Sequence, residues 1–181
     1  MNTWDCNYFD LDFHDFFEFD FKVKSIIDLG CGNGSQAYFL EDMGYDVTGT
    51  DIQNQLKYFI SNFIIDDALN SRLNKKYDVI LDRGLIHNLY HDERRDNYFD
   101  MIDRISHDDT TILLKVLSPY EIRCNPYFED PDGPYRFHED ELEYLYYPKF
   151  KCDLIEDTYF YTDNIQPHLR GYYCVYSRDI K

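Results

Sequence analysis

Apolar residues fall in short blocks along this chain, and the spacing within each block predicts an element. The stretch 25–29 is a near-continuous apolar run, the pattern of a strand buried on both faces, and it runs into a glycine-rich turn. Residues 35–43 follow as a helix stopped by Gly44. Strands are predicted at 46–50, 63–65, 77–81 and 110–117. Tyr98, Met101, Ile102 and Ile105 recur at i, i+3, i+4 and i+7, which is one face of a helix. Leu142, Leu145 and Tyr146 mark another helix, stopped at Pro148. Near the N-terminus two periods compete. Phe9, Phe13, Phe16 and Phe17 fit a helix face, while Phe17, Phe19, Phe21 and Val23 alternate like a strand.

Short apolar strands alternating with amphipathic helices predict an α/β fold, a mostly parallel sheet with helices on both faces. The last two strands, near 151–161 and 171–177, follow each other with no clear helix between them and are expected to pair antiparallel at one edge. Residues 118–136 carry Pro119, Pro126, Pro131 and Pro134 and read as a long loop, expected to gate a site. The length of 181 residues predicts a single domain, with 1–23 as an acidic, aromatic N-terminal segment and 24–181 as the core.

Composition narrows the partners. The chain has 35 acidic and 18 basic side chains, a formal charge of −17, which disfavours nucleic-acid backbones and anionic membrane surfaces. Aromatics reach 18%, too many for a disordered chain at this charge, so a folded core is expected. No apolar run is long enough to span a membrane, and the first residues lack the pattern of a signal peptide. The five cysteines are scattered, with no CxxC pair and no zinc-like histidine spacing, which predicts reduced thiols, no metal site and a cytoplasmic protein. The acids of the N-terminal segment are expected to form a solvated face, with its phenylalanines turned inward.

The chemistry concentrates at Asp28-Leu29-Gly30-Cys31-Gly32-Asn33-Gly34, where a buried strand turns through three alternating glycines into a helix. Sheets of this type bind ligands beyond the C-terminal ends of their strands. Glycines let the backbone approach a ligand closely, and the helix N-terminus offers free N–H donors. A dinucleotide site would need a glycine at position 35, where Ser35 stands, and no G-K-[ST] follows for a phosphate loop.

The D-x-G-x-G-x-G pattern at Asp28, Gly30, Gly32 and Gly34 resembles the first motif of the class I S-adenosylmethionine-dependent methyltransferases. The resemblance covers residues 24–178. It implies a Rossmann-like, doubly wound seven-stranded sheet with an antiparallel edge strand, S-adenosylmethionine as cofactor and S-adenosylhomocysteine as product. Asp51, ending the second strand after Gly49 and Thr50, then becomes the ribose binder, since a carboxylate there accepts both hydroxyl protons. Phe63-Ile64-Ile65-Asp66-Asp67-Ala68 resembles the family's third strand end, where an acid before alanine accepts from the adenine amino group; Asp67 matches best and Asp66 second. Only 15 residues separate Asp51 from Asp66, so the helix usual between these strands is short or missing. The stretch 77–89 is similar to the fourth motif of the small-molecule branch, which includes thiol-, thiopurine- and tellurite-type enzymes. Cys31, Ile52, Ala68 and Asp82 fall on or beside motif positions and complete the expected cofactor set.

The resemblance implies methyl transfer to a sulfur, oxygen or nitrogen of a small-molecule acceptor by direct in-line displacement. His87, just beyond the fourth strand, is the first candidate for a base, with His91 second and His138 and His168 more remote. Arg83 is a candidate for the catalytic site, binding an anionic substrate or the cofactor carboxylate. Tyr8, Tyr90, Tyr135 and Phe137 are candidate walls of the acceptor pocket. No Asn/Asp-Pro-Pro-Tyr or Pro-Cys follows the fourth strand, which argues against methylation of nucleic-acid bases. Two rivals keep the same fold: a non-catalytic cofactor-binding scaffold, and a protein or RNA methyltransferase that needs a partner subunit. A monomer or homodimer is expected, and the acidic field favours a neutral or cationic acceptor.

Overall fold

The computed structural model describes residues 6–19, 23–121, 133–163 and 168–178. After α1 (Leu11–Phe19) the chain runs β1 (Ser25–Leu29), α2 (Ser35–Asp42), β2 (Asp46–Asp51), β3 (Phe63–Ile65) and β4 (Tyr77–Arg83). It continues through α3 (Ile86–Leu89), α4 (Arg95–Arg104), β5 (Ser106–Leu117), α5 (Glu139–Tyr144), β6 (Phe150–Phe160) and β7 (Leu169–Arg178). The seven strands lie in the order β3-β2-β1-β4-β5-β7-β6. The first five pair parallel, and β7 runs antiparallel between β5 and β6. The doubly wound, mostly parallel sheet expected from the sequence is the fold. The central strands are apolar on both sides because both sides are covered. Ile26, Val79, Leu81 and Leu113 pack with Phe13 and Phe17 of α1 and with Ala37 and Leu40 of α2. Ile27, Ile80, Ile112 and Leu114 pack on the other face with Tyr98, Met101 and Ile102 of α4 and with Leu142 of α5.

The competing periods at the N-terminus resolve to the helical one over α1, with Phe13 and Phe17 buried. Fully burying one phenylalanine contributes about 2–3 kcal/mol. Several boundaries move outward from the sequence reading: β5 begins at Ser106, four residues before the apolar run. The one-turn α3 was not anticipated, because four residues carry no usable periodicity. The gate expected over 118–136 lies largely outside the described residues, as do Trp4 and Phe21.

Neither connection flanking β3 contains a helix, so that residues 52–62 and 66–76 run as irregular chain. Side chains of neighbouring elements hold them instead. Asn97 donates to the Leu69 carbonyl at 2.9 Å, and Arg104 donates to the carbonyls of Leu73 at 2.7 Å and Ser71 at 2.8 Å. Backbone N–H groups of Lys57 and Tyr58 donate to the Asn33 carbonyl at 2.9 and 3.1 Å, tying the first connection to the glycine turn.

One charged cluster corrects the reading of the N-terminal acids as a solvated face. Arg83 and Lys115 stand opposite each other on β4 and β5. Their side chains are 7% and 0% exposed. Asp10, itself fully buried, accepts from Arg83 Nε at 2.8 Å and from Lys115 Nζ at 2.7 Å. Asp12 takes a second Lys115 bond at 2.5 Å and one from the Thr158 hydroxyl of β6 at 2.5 Å. Burial alone would raise the Asp10 pKa, but Lys115 and Arg83 outweigh it and hold the carboxyl below the usual range.

Removing one partner of a buried ion pair strands the other charge, which costs about 3–5 kcal/mol. Asp10→Ala is expected to lower the stability of the chain by about that amount in denaturant unfolding. The folded pKa of Asp10 lies below its unfolded value, so the carboxylate contributes stability above pH ~4. That contribution is lost as pH falls through the folded value. The gap between wild type and Asp10→Ala should therefore narrow on acidification, read from unfolding midpoints across pH.

Candidate cofactor cleft

The cleft opens at the C-terminal ends of β1, β2 and β4, where the connection after β1 runs to β2 on one side and that after β4 to β5 on the other, which creates the crevice typical of doubly wound sheets. Its walls are the glycine turn after β1, the end of β2, the start of the β4–α3 turn, and Cys6 from the N-terminal segment. The turn has positive φ at Gly30, Gly32 and Gly34, a conformation that costs other residues strain. A Cβ on Gly32 would meet nothing nearer than the Gly30 carbonyl at 4.0 Å, so the backbone there faces open space. A Cβ on Gly34 would come within 2.8 Å of Leu56, so this glycine serves packing.

Two acids of the cleft differ in their surroundings. Asp51 sits at the end of β2 and is 9% exposed. Its Oδ2 accepts from Gly32 N–H at 3.0 Å and its Oδ1 from Gln53 N–H at 3.0 Å. Oδ2 also accepts a longer bond from Gln55 Nε2 at 3.5 Å, so of the roughly four acceptor positions of a carboxylate one is unused. Asp28 is 2% exposed, and its Oδ2 has no hydrogen-bond partner among the described residues. Burial pushes its pKa up to about 7, against the lowering by Arg83 and by the Ala37 N–H. An orphaned buried carboxylate oxygen beside an open cleft is a costly arrangement unless a ligand completes it.

The N-terminal segment closes one side through side chains of the turn and of α2. Asn33 Nδ2 donates to the Cys6 carbonyl at 3.1 Å, and Gln36 Nε2 donates to the Tyr8 carbonyl at 3.1 Å. Gln36 Oε1 accepts from Asp10 N–H at 2.9 Å. Thus the same segment that neutralises Arg83 and Lys115 also borders the cleft.

Asp28, Gly30, Cys31, Gly32, Asp51, Ile52 and Arg83 all line this cleft, as the sequence anticipated. Other expected residues lie elsewhere. Asp82 is fully buried beneath the floor, accepting from the N–H groups of Leu85 at 2.7 Å and Ile86 at 3.0 Å and from the Tyr98 hydroxyl at 2.8 Å. It fixes the turn into α3 and is no cleft contact; burial raises its pKa to about 6 despite these donors. Asp67 accepts from Leu69 N–H at 3.0 Å and, with Asp66, borders a separate groove beside β3. Ala68 packs against the core.

His87 is the largest departure from expectation. Its ring is fully buried, 5.8 Å from the Phe160 ring, and its Nδ1 accepts from Leu117 N–H at 3.3 Å. Burial, and then the Arg83 charge, lower its pKa to about 3, so it stays neutral. It is not among the cleft-lining residues. Arg83 reaches the cleft but is engaged by Asp10 and by the Tyr161 carbonyl at 2.9 Å. Tyr90, Tyr135 and Phe137 do come together, with ring centroids 4.3 to 4.8 Å apart, but Phe137 is fully buried. The Tyr135 hydroxyl donates to Glu141, which also accepts from His138 N–H at 2.8 Å at the start of α5. His91 packs on the Tyr135 ring and His168 on the Tyr161 ring. Tyr8 is 37% exposed, its carbonyl accepts from Gln36, and it is not among the residues lining the cleft.

Cys6, Asn33, Ser35, Gln36, Gln55 and Asn88 line the cleft without having been singled out. The Asn33-Gly34-Ser35-Gln36 run offered a signal: polar residues opening a helix just after a ligand-binding turn have reason to be buried. Among the described residues, no group of acids, histidines and cysteines is placed to hold a metal, and no helix is long and apolar enough to cross a membrane.

Known proteins share this fold. The structure reported for conversion of a disulfide bond into a thioacetal group during echinomycin biosynthesis superposes with a TM-score of 0.79 at 17% identity, covering 98% of this chain and 84% of that one. An S-adenosylmethionine-dependent methyltransferase of Methanosarcina mazei gives 0.75 at 14% identity, over 92% and 98% of the two chains. The 1,6-didemethyltoxoflavin N1-methyltransferase of Burkholderia thailandensis gives 0.71 at 15% identity, over 94% and 76%. Two uncharacterized methyltransferases of Schizosaccharomyces pombe are each 26% identical over 106 residues, covering 52% of this chain and 72% of the relative. A family model described as a methyltransferase domain matches residues 7–155, and since that is most of the chain, this protein belongs to the methyltransferase domain family.

Proposed function

We propose that this chain uses S-adenosylmethionine to methylate a sulfur, oxygen or nitrogen atom of a small-molecule acceptor. The observation that carries the reading is the pairing of Asp28 and Asp51 across one glycine-walled cleft, each with acceptor capacity left over. Asp51 suits the ribose hydroxyls, with one acceptor position open and a second held only by the long, exchangeable bond from Gln55. The unpartnered Asp28 oxygen suits the cationic methionine end, directly or through water. Ile52, 62% exposed at the cleft, offers the adenine an apolar face. When bound, the cofactor supplies a methyl group already activated by its sulfonium.

What the chain contributes is position and exclusion of water, with the acceptor atom held in line at about 3–3.5 Å from the methyl carbon. No histidine lines the described cleft, so a neutral amine or a thiolate formed in solution fits better than an alcohol needing a strong base. Arg83 is already neutralised by Asp10, which leaves little to draw an anionic acceptor and favours a neutral or cationic one.

Titration calorimetry should show binding of S-adenosylmethionine and none of NAD; absence of S-adenosylmethionine binding to the folded chain would overturn the proposal. Asp51→Ala is expected to weaken that binding at least tenfold, about 1.4 kcal/mol. An acceptor screen over thiols, halides, heavy-chalcogen oxyanions, phenols and amines should yield S-adenosylhomocysteine with at least one class. Binding without turnover across the screen would favour the scaffold reading.

Asp28 gives a separate test. Its folded pKa lies above its unfolded value, so folding is favoured at low pH and that contribution fades as pH rises from ~4 through about 7. Asp28→Asn should therefore stabilise the ligand-free protein at pH 8, on the order of 2 kcal/mol, and less at pH 5. The same variant should bind S-adenosylmethionine more weakly. Thermal melts at the two pH values and calorimetry check the two halves. For His87, a variant such as His87→Asn is expected to lower the melting temperature while leaving the pH profile of kcat unchanged; a lost inflection near neutrality would restore it as a base.

A further inference from the structure

Two buried phenols stand in line behind the cleft. Tyr98 of α4 donates to Asp82 Oδ2 at 2.8 Å, and its hydroxyl lies 3.0 Å from that of Tyr146, two residues beyond α5. An ionised carboxylate only accepts, and Tyr98 has a single proton to give, so Tyr146 donates to Tyr98. The two rings also meet Phe99 and Phe150 edge-on, contacts that phenylalanine at either position would keep. The hydroxyls are the part that packing does not need. From Asp82 the chain of bonds continues into the cleft wall. The carboxylate accepts from the Leu85 and Ile86 N–H groups and so fixes the turn between β4 and α3. Leu85 rests on the first glycine of the glycine turn: a Cβ on Gly30 would come within 3.1 Å of Leu85 Cδ1. Leu85 and Gly30 both line the cleft.

We propose, resting on the cofactor cleft proposed above, that Tyr98 and Tyr146 are positioning residues for S-adenosylmethionine: their hydroxyls keep Asp82 an ionised acceptor, and Asp82 holds the turn that seats Leu85 against Gly30. Among the described residues no cation pairs with Asp82, so hydrogen-bond donors offset its burial. The ionisable groups around it are Tyr98 from α4, Tyr146 beyond α5 and Asp28 from β1, while His87 of α3 stays neutral. With every donor in place the carboxyl still titrates at about 6, close to the working range. A hydrogen bond to an ionised acceptor is stronger than one to a neutral acid, so losing the Tyr98 donor carries Asp82 towards its neutral form. The neutral acid accepts less strongly from Leu85 and Ile86, and the turn loosens. Tyr146 acts one step further back. By donating into the Tyr98 oxygen it polarises the Tyr98 O–H towards Asp82.

Tyr98→Phe and Tyr146→Phe remove the hydroxyls and keep the rings. In amide NMR of the ligand-free full chain, the Leu85 and Ile86 N–H shifts should titrate with Asp82, with an inflection at about 6 in the wild type. Tyr98→Phe should move that inflection to about tenfold lower proton concentration, and Tyr146→Phe in the same direction by less. By calorimetry, Tyr98→Phe should bind S-adenosylmethionine about fivefold more weakly than the wild type at pH ~6 and equally well at pH ~8.5, where Asp82 is ionised in both. Should circular dichroism show that Tyr98→Phe does not fold, Tyr146→Phe carries both measurements. Equal weakening at every pH would mark lost packing alone and would overturn the proposal. So would an amide inflection that stays in place in both variants. Absence of S-adenosylmethionine binding to the folded wild type would instead overturn the assignment of the cleft, and the amide titration would still decide whether the phenols govern Asp82.

Discussion

The structure depends on one carboxylate. Arg83 and Lys115 occupy facing positions on adjacent parallel strands, both withdrawn from water, and the sheet supplies no anion to match them. Their mutual repulsion and their desolvation would open the ends of β4 and β5, and the end of β4 is one of those that frame the cleft. Asp10 resolves this from outside the sheet by accepting from both cations. To do so it draws the N-terminal segment along one side of the cleft, where Asn33 and Gln36 grip its backbone. Asp12 carries the same connection out to Thr158 on β6. The segment from Cys6 to Asp12 therefore borders the site, and Arg83 is committed to holding Asp10 there.

The elements legible in the sequence were those whose pattern has one physical meaning. Apolar runs such as Ile26–Leu29, broken only by Asp28, read as strands buried on two faces, and the glycines after them read as a turn towards a ligand. The short spacing between Asp51 and Asp66 announced the missing helix. Charged positions were harder, because a residue's place in a charge run does not say which side of the chain it faces. Asp10 and Asp12 looked like members of a solvated acidic face. The available signal lay 105 residues away, in the single lysine within the apolar run of β5, which needed an anion from somewhere. His87 shows the converse limit. Its residue type suits a base, but a one-turn helix folded its ring inward against Phe160, and four residues leave no pattern from which to read that.

Four acids assigned to the cleft by motif have separated into distinct physical roles. Asp51 is held as an acceptor by backbone donors of the glycine turn and its own following residue. Asp28 is buried with an oxygen unfilled and sits near neutrality in its titration. Asp82 spends its acceptors on the start of α3 and on Tyr98. Asp67 closes a local turn beside a different groove. Equal position in a motif thus conceals unequal surroundings, and the donors around each carboxylate decide its chemistry.

The sequence distance between Asp10 and its partners has a consequence for folding. Lys115 lies 105 residues beyond Asp10 and Thr158 lies 146 beyond Asp12, and the chain between Asp12 and Thr158 holds β1 to β5 and most of β6. Synthesis at roughly 5–20 residues per second leaves the N-terminal acids exposed for several seconds before either partner exists. Loop closure over such a span comes late, after the local strand and helix contacts. Docking of the N-terminal segment is then a late folding event, and a nascent or partly unfolded chain would present its cleft without that wall, with Arg83 unneutralised beside it.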